Sequence, residues 1–169
     1  MDRIPSTEVM ESSKVKAVLD TVKAMLKEDP TNKFLIFSQF TSLLEITQKE
    51  IDRRGLGSCG IIHGGLNVAT RNRMVSYFQS DISGLFLYMA DPWWNPAAEL
   101  QAVQRAHRLG QTRDVQVVKF IATSSIEERI RTLQRKKQLA ADTTVGGDEN
   151  ASYHLQQLSL QDLKFLFKL

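Results

Sequence analysis

Short apolar runs alternate with longer segments of helical periodicity along this chain, and this alternation restricts the folds that it can adopt. Lys33–Phe37 has the apolar character of a buried strand, and Leu85–Met89, Val115–Ile121 and the shorter Ser58–Ile62 are predicted as further strands. Because helical segments separate the strands, the connections favour parallel pairing. The sequence therefore predicts an α/β fold with a mainly parallel sheet in three layers.

The predicted helices are marked by capping residues and by helix breakers. Ser12 or Ser13 can cap a helix that stops before Pro30, and Asn67 can cap the helix that precedes Leu85–Met89. These helices would supply the outer layers of the fold. Other helices are predicted after the turn Ser38–Thr41 as far as Arg54, from Pro96 after the cap Asn95 to Leu109, after the cap Ser124 or Ser125 to about Ala141, and onward from Ser159.

Length and composition indicate a single globular domain with short extensions. The chain has 169 residues, of which 42% are hydrophobic and 24% are charged. We expect an N-terminal tail at residues 1–11, the domain at residues 12–141, a linker at residues 142–158 and an apolar C-terminal segment at residues 159–169. That last segment begins with a capping-box-like pattern and predicts a short helical tail, whose large apolar residues need a covering surface.

Charge and cysteine content narrow the classes of function. The formal net charge of +3 and the pI near 9.1 are compatible with nucleic-acid contact but are too mild to indicate it alone. Cys59 is the only cysteine, which excludes an internal disulfide and a cysteine-cluster metal site. We assign no metal. The N-terminus lacks the apolar core of a signal peptide and no apolar run approaches membrane length, so we expect a soluble, unsecreted protein without a membrane partner.

The stretch from Asp91 to Gln111 carries the clearest chemistry. Within it, Gln101, Arg105 and Arg108 are spaced i, i+4, i+7 and therefore lie on one face of the predicted helix. Guanidinium groups one turn apart can grip phosphate oxygens or brace a phosphoryl transition state. The alternative is an exposed basic helix whose charges are merely solvated.

The same stretch resembles two adjoining signatures of the Swi/Snf-type ATPases, a branch of superfamily-two helicases. These are the block Asp-Pro-Trp-Trp-Asn-Pro at residues 91–96 and helicase motif six, Gln-x-x-x-Arg-x-x-Arg-x-Gly-Gln, at residues 101–111. The resemblance implies a RecA-like second helicase lobe. It also implies that Gln101, Arg105 and Arg108 face ATP held by a separate N-terminal lobe. Arg108 would then be the catalytic arginine finger, with Arg105 as its catalytic partner.

Two further segments resemble elements that face DNA in the same family. Phe37–Phe40 resembles helicase motif four, and His63-Gly64-Gly65 with Arg71 resembles a glycine-containing loop and the helix that follows it. From the residues alone, the first is a strand end and the second is a turn. The resemblance implies that double-stranded DNA is a partner. The DNA-binding residues that it implies are Ser38, Gln39, His63, Gly64, Gly65 and Arg71.

The C-terminal apolar segment is similar to the ends of the fungal nucleotide-excision-repair members of the family. The resemblance of Leu158–Phe167 implies a nuclear protein of DNA repair or chromatin remodelling, with repair-complex proteins as additional partners. The aromatic pair Trp93 and Trp94 could stack on bases. Because Pro92 and Pro96 flank the pair, we expect it instead to pack the lobe or its contact with a partner lobe.

The sequence departs from the family pattern in three places. It contains neither a Gly-x-x-x-x-Gly-Lys-Ser/Thr phosphate loop nor an Asp-Glu-x-His motif, so ATP and Mg²⁺ are expected only when an N-terminal lobe completes the site. Residues 79–90 stand where the family carries a strand and a glycine-rich motif five, so one expected strand is lacking. Gln104 replaces a usual acidic residue, which is expected to loosen the orientation of Arg105.

Two classes of function remain open from the sequence. The first is the C-terminal lobe of a DNA-dependent ATPase or translocase, an ATP hydrolase that would be inactive as this isolated chain. The second is a truncated, non-catalytic module that binds DNA or protein. Motif six favours the first class, and the short segment at residues 79–90 favours the second.

Overall fold

A computed structural model describes residues 12–79, 84–106, 115–143 and 158–168. Its strands form one parallel sheet in the order β1-β2-β3, with Lys33 opposite Leu85 and Leu85 opposite Val115. The predicted α/β class and parallel pairing are thereby confirmed. In chain order the elements are α1 (Ser13–Glu28), β1 (Lys33–Phe37), α2 (Thr41–Arg53), α3 (Val68–Gln79), β2 (Leu85–Met89), α4 (Pro96–Ala106), β3 (Val115–Lys119), α5 (Ile126–Thr143) and α6 (Leu160–Phe167).

Helix α1 forms the centre of the core. The Ser12 hydroxyl accepts a hydrogen bond from the backbone N–H of Val15 at 3.2 Å and caps the helix as predicted. The apolar residues of α1 keep helical spacing, so they bury one continuous stripe against the sheet and α2. Full burial of one such side chain contributes roughly 1.5 to 3 kcal/mol. The buried stripe consists of Val15, Val18, Leu19, Val22 and Met25.

Helices lie on both faces of the sheet. Phe34, Tyr88 and Val118 point to the face that packs against α1. Lys119 is the next residue along β3 and points to the opposite face, because side chains alternate along a strand. There its ammonium group pairs with Glu99 of α4. The sheet therefore has α1 on one side and α4 on the other, which confirms the three-layer arrangement.

The prediction of a strand at Ser58–Ile62 is wrong. These residues have no regular secondary structure, and within the described ranges β1 pairs only with β2. A strand requires a neighbour that satisfies its backbone groups. Here the carbonyl of Cys59 accepts instead from the side-chain amide of Gln48 at 2.8 Å. The half-buried Cys59 nevertheless packs against the core.

Several element ends differ slightly from the prediction. Strand β3 ends at Lys119, and the helix predicted to end near Ala141 ends at Thr143. Residues 107–109 of the predicted motif-six helix and the residues 144–157 of the predicted linker lie outside the described part. Residues 80–83 also lie outside it, so the absence of motif five stays a prediction, as do the domain boundaries.

The C-terminal helix α6 is capped and partly covered. Ser159 and Asp162 form the predicted capping box, in which the Asp162 N–H donates to the Ser159 hydroxyl at 3.1 Å and the Ser159 N–H donates to the Asp162 carboxylate at 2.9 Å. Leu166 is buried. Helix α6 packs against α5, where Lys136 lies over the ring of Phe165 at 4.4 Å. Helix α5 therefore covers part of this apolar segment, whereas Leu160 and Phe167 remain exposed.

Candidate functional site

Helix α4 begins as the sequence predicts. The side-chain oxygen of Asn95 accepts from the Ala97 N–H at 3.0 Å, and Pro96 occupies the first helical position. Glu99 is buried, whereas Gln101 is exposed. The Gln101 amide is therefore accessible to a ligand.

The two motif-six arginines are only partly described by the structure. Position 105 lies in the last turn of α4, one turn beyond Gln101, but the side chain of Arg105 is outside the described part. Arg108 is outside it entirely. Their contacts with a nucleotide stay a prediction.

Ser38 lies at the carboxyl end of β1 and bonds within the protein. Its hydroxyl donates to the carboxylate of Asp91 and accepts from the Phe40 N–H at 3.0 Å. Lys14 approaches the other oxygen of Asp91 at 3.6 Å. The neighbouring Gln39 is exposed, as is Phe40. The structure thus uses Ser38 to shape this loop and leaves Gln39 accessible, and the DNA contacts of both stay a prediction.

Of the second set of predicted DNA-binding residues, His63, Gly64 and Gly65 lie in one exposed loop, and Arg71 lies beside that loop on α3. The Gly65 N–H donates to Nδ1 of His63 at 3.1 Å, and Gly64 lies between these two residues. The half-buried Arg71, in the first turns of α3, donates to the His63 carbonyl oxygen at 3.4 Å. Asn67 caps α3 through the Thr70 N–H at 2.8 Å, as predicted. The helix therefore holds a guanidinium group beside an exposed, glycine-containing loop.

Glu99 is a site residue that the sequence analysis missed. One carboxylate oxygen, Oε1, accepts from the Trp93 N–H at 3.0 Å and from the Gln134 side chain at 2.7 Å. The other, Oε2, accepts from Lys119 at 2.5 Å. One sequence feature does point to Glu99. It is an acidic residue on the side of α4 that also carries Ala102 and Val103, where apolar residues are expected.

The two tryptophans have different surroundings. The Trp94 ring is half-buried, and Lys137 lies over it at 4.9 Å from the ring centre. Lys137 also pairs with Asp162 of α6 at 3.3 Å. Trp93 keeps 38% of its surface exposed and lies against Trp94 at 5.9 Å between ring centres. These contacts favour a packing role for Trp94 over base stacking.

Neither a metal-ligand cluster nor a membrane-spanning helix is present among the described residues. In the parts of the chain that the structure covers, no group of three or more His, Cys, Asp or Glu side chains is arranged to hold a metal ion. Among the helices described, none has both the length and the apolar character needed to span a bilayer.

Comparison with known proteins identifies relatives among helicases and DNA-repair proteins, although no protein-family model matches the chain. The chain is 33% identical over 186 residues to the ATP-dependent helicase rhp16 of Schizosaccharomyces pombe, covering 99% of this chain and 21% of that protein. It is 36% identical over 155 residues to the DNA repair protein RAD5 of Candida albicans, covering 76% of this chain and 14% of that protein. The chain thus spans 21% or less of the length of these relatives.

Solved structures with a similar fold include two ATPases. The C-terminal part of the Fun30 ATPase domain has a TM-score of 0.70 and 26% identity, covering 99% of this chain and 58% of that one. The Sulfolobus solfataricus SWI2/SNF2 ATPase core in complex with dsDNA has a TM-score of 0.65 and 26% identity. The match covers 96% of this chain and 37% of that one. The chain is therefore a homologue of Swi2/Snf2-type helicases and has the fold of their RecA-like C-terminal ATPase domain.

Proposed function

We propose that this chain is the C-terminal lobe of a DNA-dependent ATPase or translocase that acts on double-stranded DNA in repair, including nucleotide-excision repair, or in chromatin remodelling, in the nucleus. A separate N-terminal lobe would bind ATP and Mg²⁺. The observation that carries the proposal is the orientation of α4, which buries Glu99 and exposes Gln101. This orientation supports an outward-facing motif six. The relatives are named as a helicase and a DNA repair protein, which supports a role in DNA repair.

The chemistry of the proposed site is phosphoryl transfer to water. Negative charge shifts as the γ-phosphoryl group leaves, and a guanidinium positioned there stabilises the transition state more than the bound nucleotide. In this lobe Gln101, Arg105 and Arg108 would face the phosphates.

The exposed loops support contact with the DNA backbone. His63, Gly64 and Gly65 form an accessible turn beside the guanidinium of Arg71, and Gln39 is exposed at the end of β1. Such groups suit phosphate and sugar contacts, which position a protein on DNA without reading its sequence. The SWI2/SNF2 ATPase core in complex with dsDNA supports duplex DNA as the ligand.

A second candidate function is a non-catalytic module that binds DNA or protein. The segment Ser58–Ile62 is not a strand, and in the described residues β1 has a strand partner on one side only. The alignment with rhp16 extends over 186 residues, more than the 169 residues of this chain. That relative therefore carries residues in the aligned region that this chain lacks.

An experiment that adds a nucleotide-binding N-terminal lobe distinguishes the two candidate functions. The N-terminal lobe of rhp16 would be fused in front of this chain, and ATP hydrolysis would be measured with and without duplex DNA. The catalytic proposal predicts DNA-stimulated hydrolysis by the fusion protein and none by the chain alone. DNA binding by both proteins without stimulated hydrolysis would instead support the non-catalytic module.

A further inference from the structure

We infer that Glu99 is a positioning residue that sets the rotation of α4 about its own axis. Through that rotation it would direct Gln101 and position 105 outward. The contacts of Glu99 carry the inference, and its consequence for hydrolysis rests on the function proposed above.

The Glu99 carboxylate joins α4 to three other parts of the lobe. It accepts from the backbone N–H of Trp93 in the loop before α4 at 3.0 Å, from Gln134 on α5 at 2.7 Å and from Lys119 on β3 at 2.5 Å. Gln134 also donates to the carbonyl oxygen of Trp93. Only 7% of the Glu99 surface is exposed. One side chain thus fixes the helix to a loop, a helix and a strand.

Because the angles between side chains of a helix are fixed, the contacts of Glu99 determine which way the other side chains of α4 point. Each residue turns the helix by about 100°, so Glu99 and Gln101 are separated by about 200° around the axis. Fixing Glu99 toward the protein body therefore turns Gln101 toward solvent, as observed. Position 105, four residues after Gln101, lies on the same side of α4.

The electrostatics of the cluster oppose any other rotation of α4. A carboxylate withdrawn from water needs a compensating charge and hydrogen bonds, and Lys119, Trp93 and Gln134 provide them. If α4 turned, both the carboxylate and the buried Gln134 side chain would lose partners. Helix propensity alone imposes no such preference, because it does not distinguish one face of a helix from another.

The inference is tested first on the 169-residue chain by amide hydrogen exchange. Glu99→Ala is expected to accelerate exchange in α4 by about tenfold or more, whereas exchange in α1 stays unchanged. Glu99→Gln keeps an acceptor for Trp93 and Gln134 but loses the charge that pairs with Lys119, so its effect should be smaller. The matched control is Glu45→Ala, at an exposed glutamate of α2. Equal exchange in α4 of wild type and Glu99→Ala, or equal acceleration in α1 and α4, would overturn the positioning role.

The second arm measures catalysis in the fusion with the rhp16 N-terminal lobe. Glu99→Ala should lower kcat about tenfold with little change in KM for ATP, and Glu99→Gln should recover part of the loss. If Arg108→Ala lowers kcat but Glu99→Ala does not, the positioning inference fails and the proposed function stands. If Arg108→Ala also leaves kcat unchanged, the proposed function fails, and the exchange measurement alone decides whether Glu99 orients α4.

Discussion

Lys14 at the start of α1 and Glu127 at the start of α5 form an ion pair of 2.5 Å across 113 positions of sequence. Both side chains are largely buried, with 15% and 19% of their surface exposed. Lys14 also lies 3.6 Å from Asp91, the residue that accepts from Ser38. The Lys14 ammonium group therefore connects α1 to α5 and to the loop after β2. Through Asp91 and Ser38 it also reaches the loop after β1.

Lys14→Met should lower the free energy of unfolding by about 1 to 3 kcal/mol, because it leaves two partly buried carboxylates without their shared counter-charge. Urea denaturation of the chain would measure the loss. The control is Lys16→Met, which removes an exposed pair with Asp20 on the same helix and should cost less stability than Lys14→Met, because exposed ion pairs contribute little. Equal losses in the two variants would refute the role assigned to Lys14.

The buried phenol of Tyr88 makes stability depend on alkaline pH. The Tyr88 side chain is fully buried, and its hydroxyl has no hydrogen-bond partner among the described residues. Burial, with a smaller contribution from Glu28, raises the pKa of Tyr88 to about 12. The unfolded chain releases this proton near pH 10 while the folded chain retains it, so stability should fall as pH rises from 10 toward 12.

Tyr88→Phe should abolish this loss of folding stability at alkaline pH, which amounts to about 3 kcal/mol. At neutral pH the variant should gain about 1 kcal/mol, because an unpaired hydroxyl no longer has to be buried. Denaturation curves between pH 7 and about pH 12 would be compared with those of Tyr77→Phe, which changes an exposed tyrosine. A variant with the same alkaline slope as wild type would contradict the assignment.

The attachment of α6 should weaken in acid. Burial raises the pKa of Asp162, but hydrogen bonds from Ser159 and the charge of Lys137 outweigh it, so the pKa lies below the ordinary value of 3.8. The carboxylate therefore stabilises the folded state above pH 3.8, and this contribution is lost as pH falls through the lowered pKa. Exchange of the α6 amides should accelerate over that interval. In Asp162→Asn it should already be fast at neutral pH and insensitive to acid; a pH profile identical to wild type would argue against this role.

The fold was predictable wherever local sequence and tertiary structure agree. β1 and β2 have the predicted limits because each is a compact apolar run, and α1 begins at a serine that can cap it. Ser58–Ile62 has suitable residues, but a strand also depends on a hydrogen-bonding neighbour, which local sequence does not specify. Glu99 was missed for a related reason, since its partners Lys119 and Gln134 are 20 and 35 residues away.

DNA binding should depend on the loop at His63–Gly65. Arg71→Ala is expected to weaken binding of duplex DNA uniformly across sequences and to reduce the slope of log K against log salt concentration by about 1. Fluorescence anisotropy of the chain at several salt concentrations would measure both quantities. Arg73→Ala changes an exposed arginine of the same helix and is the control. If the two variants behave alike, Arg71 has no specific part in DNA contact.

The most direct test of the central claim is kcat for DNA-stimulated ATP hydrolysis by the fusion protein carrying Arg108→Ala. A finger acts on charge that develops in the transition state, so kcat should fall about 10³-fold or more while nucleotide affinity changes little. Arg108→Lys should recover only part of the loss, because a point charge cannot reproduce the planar guanidinium fork. A near-normal kcat together with weaker, salt-dependent DNA binding would contradict the account and make α4 a contact for the DNA backbone.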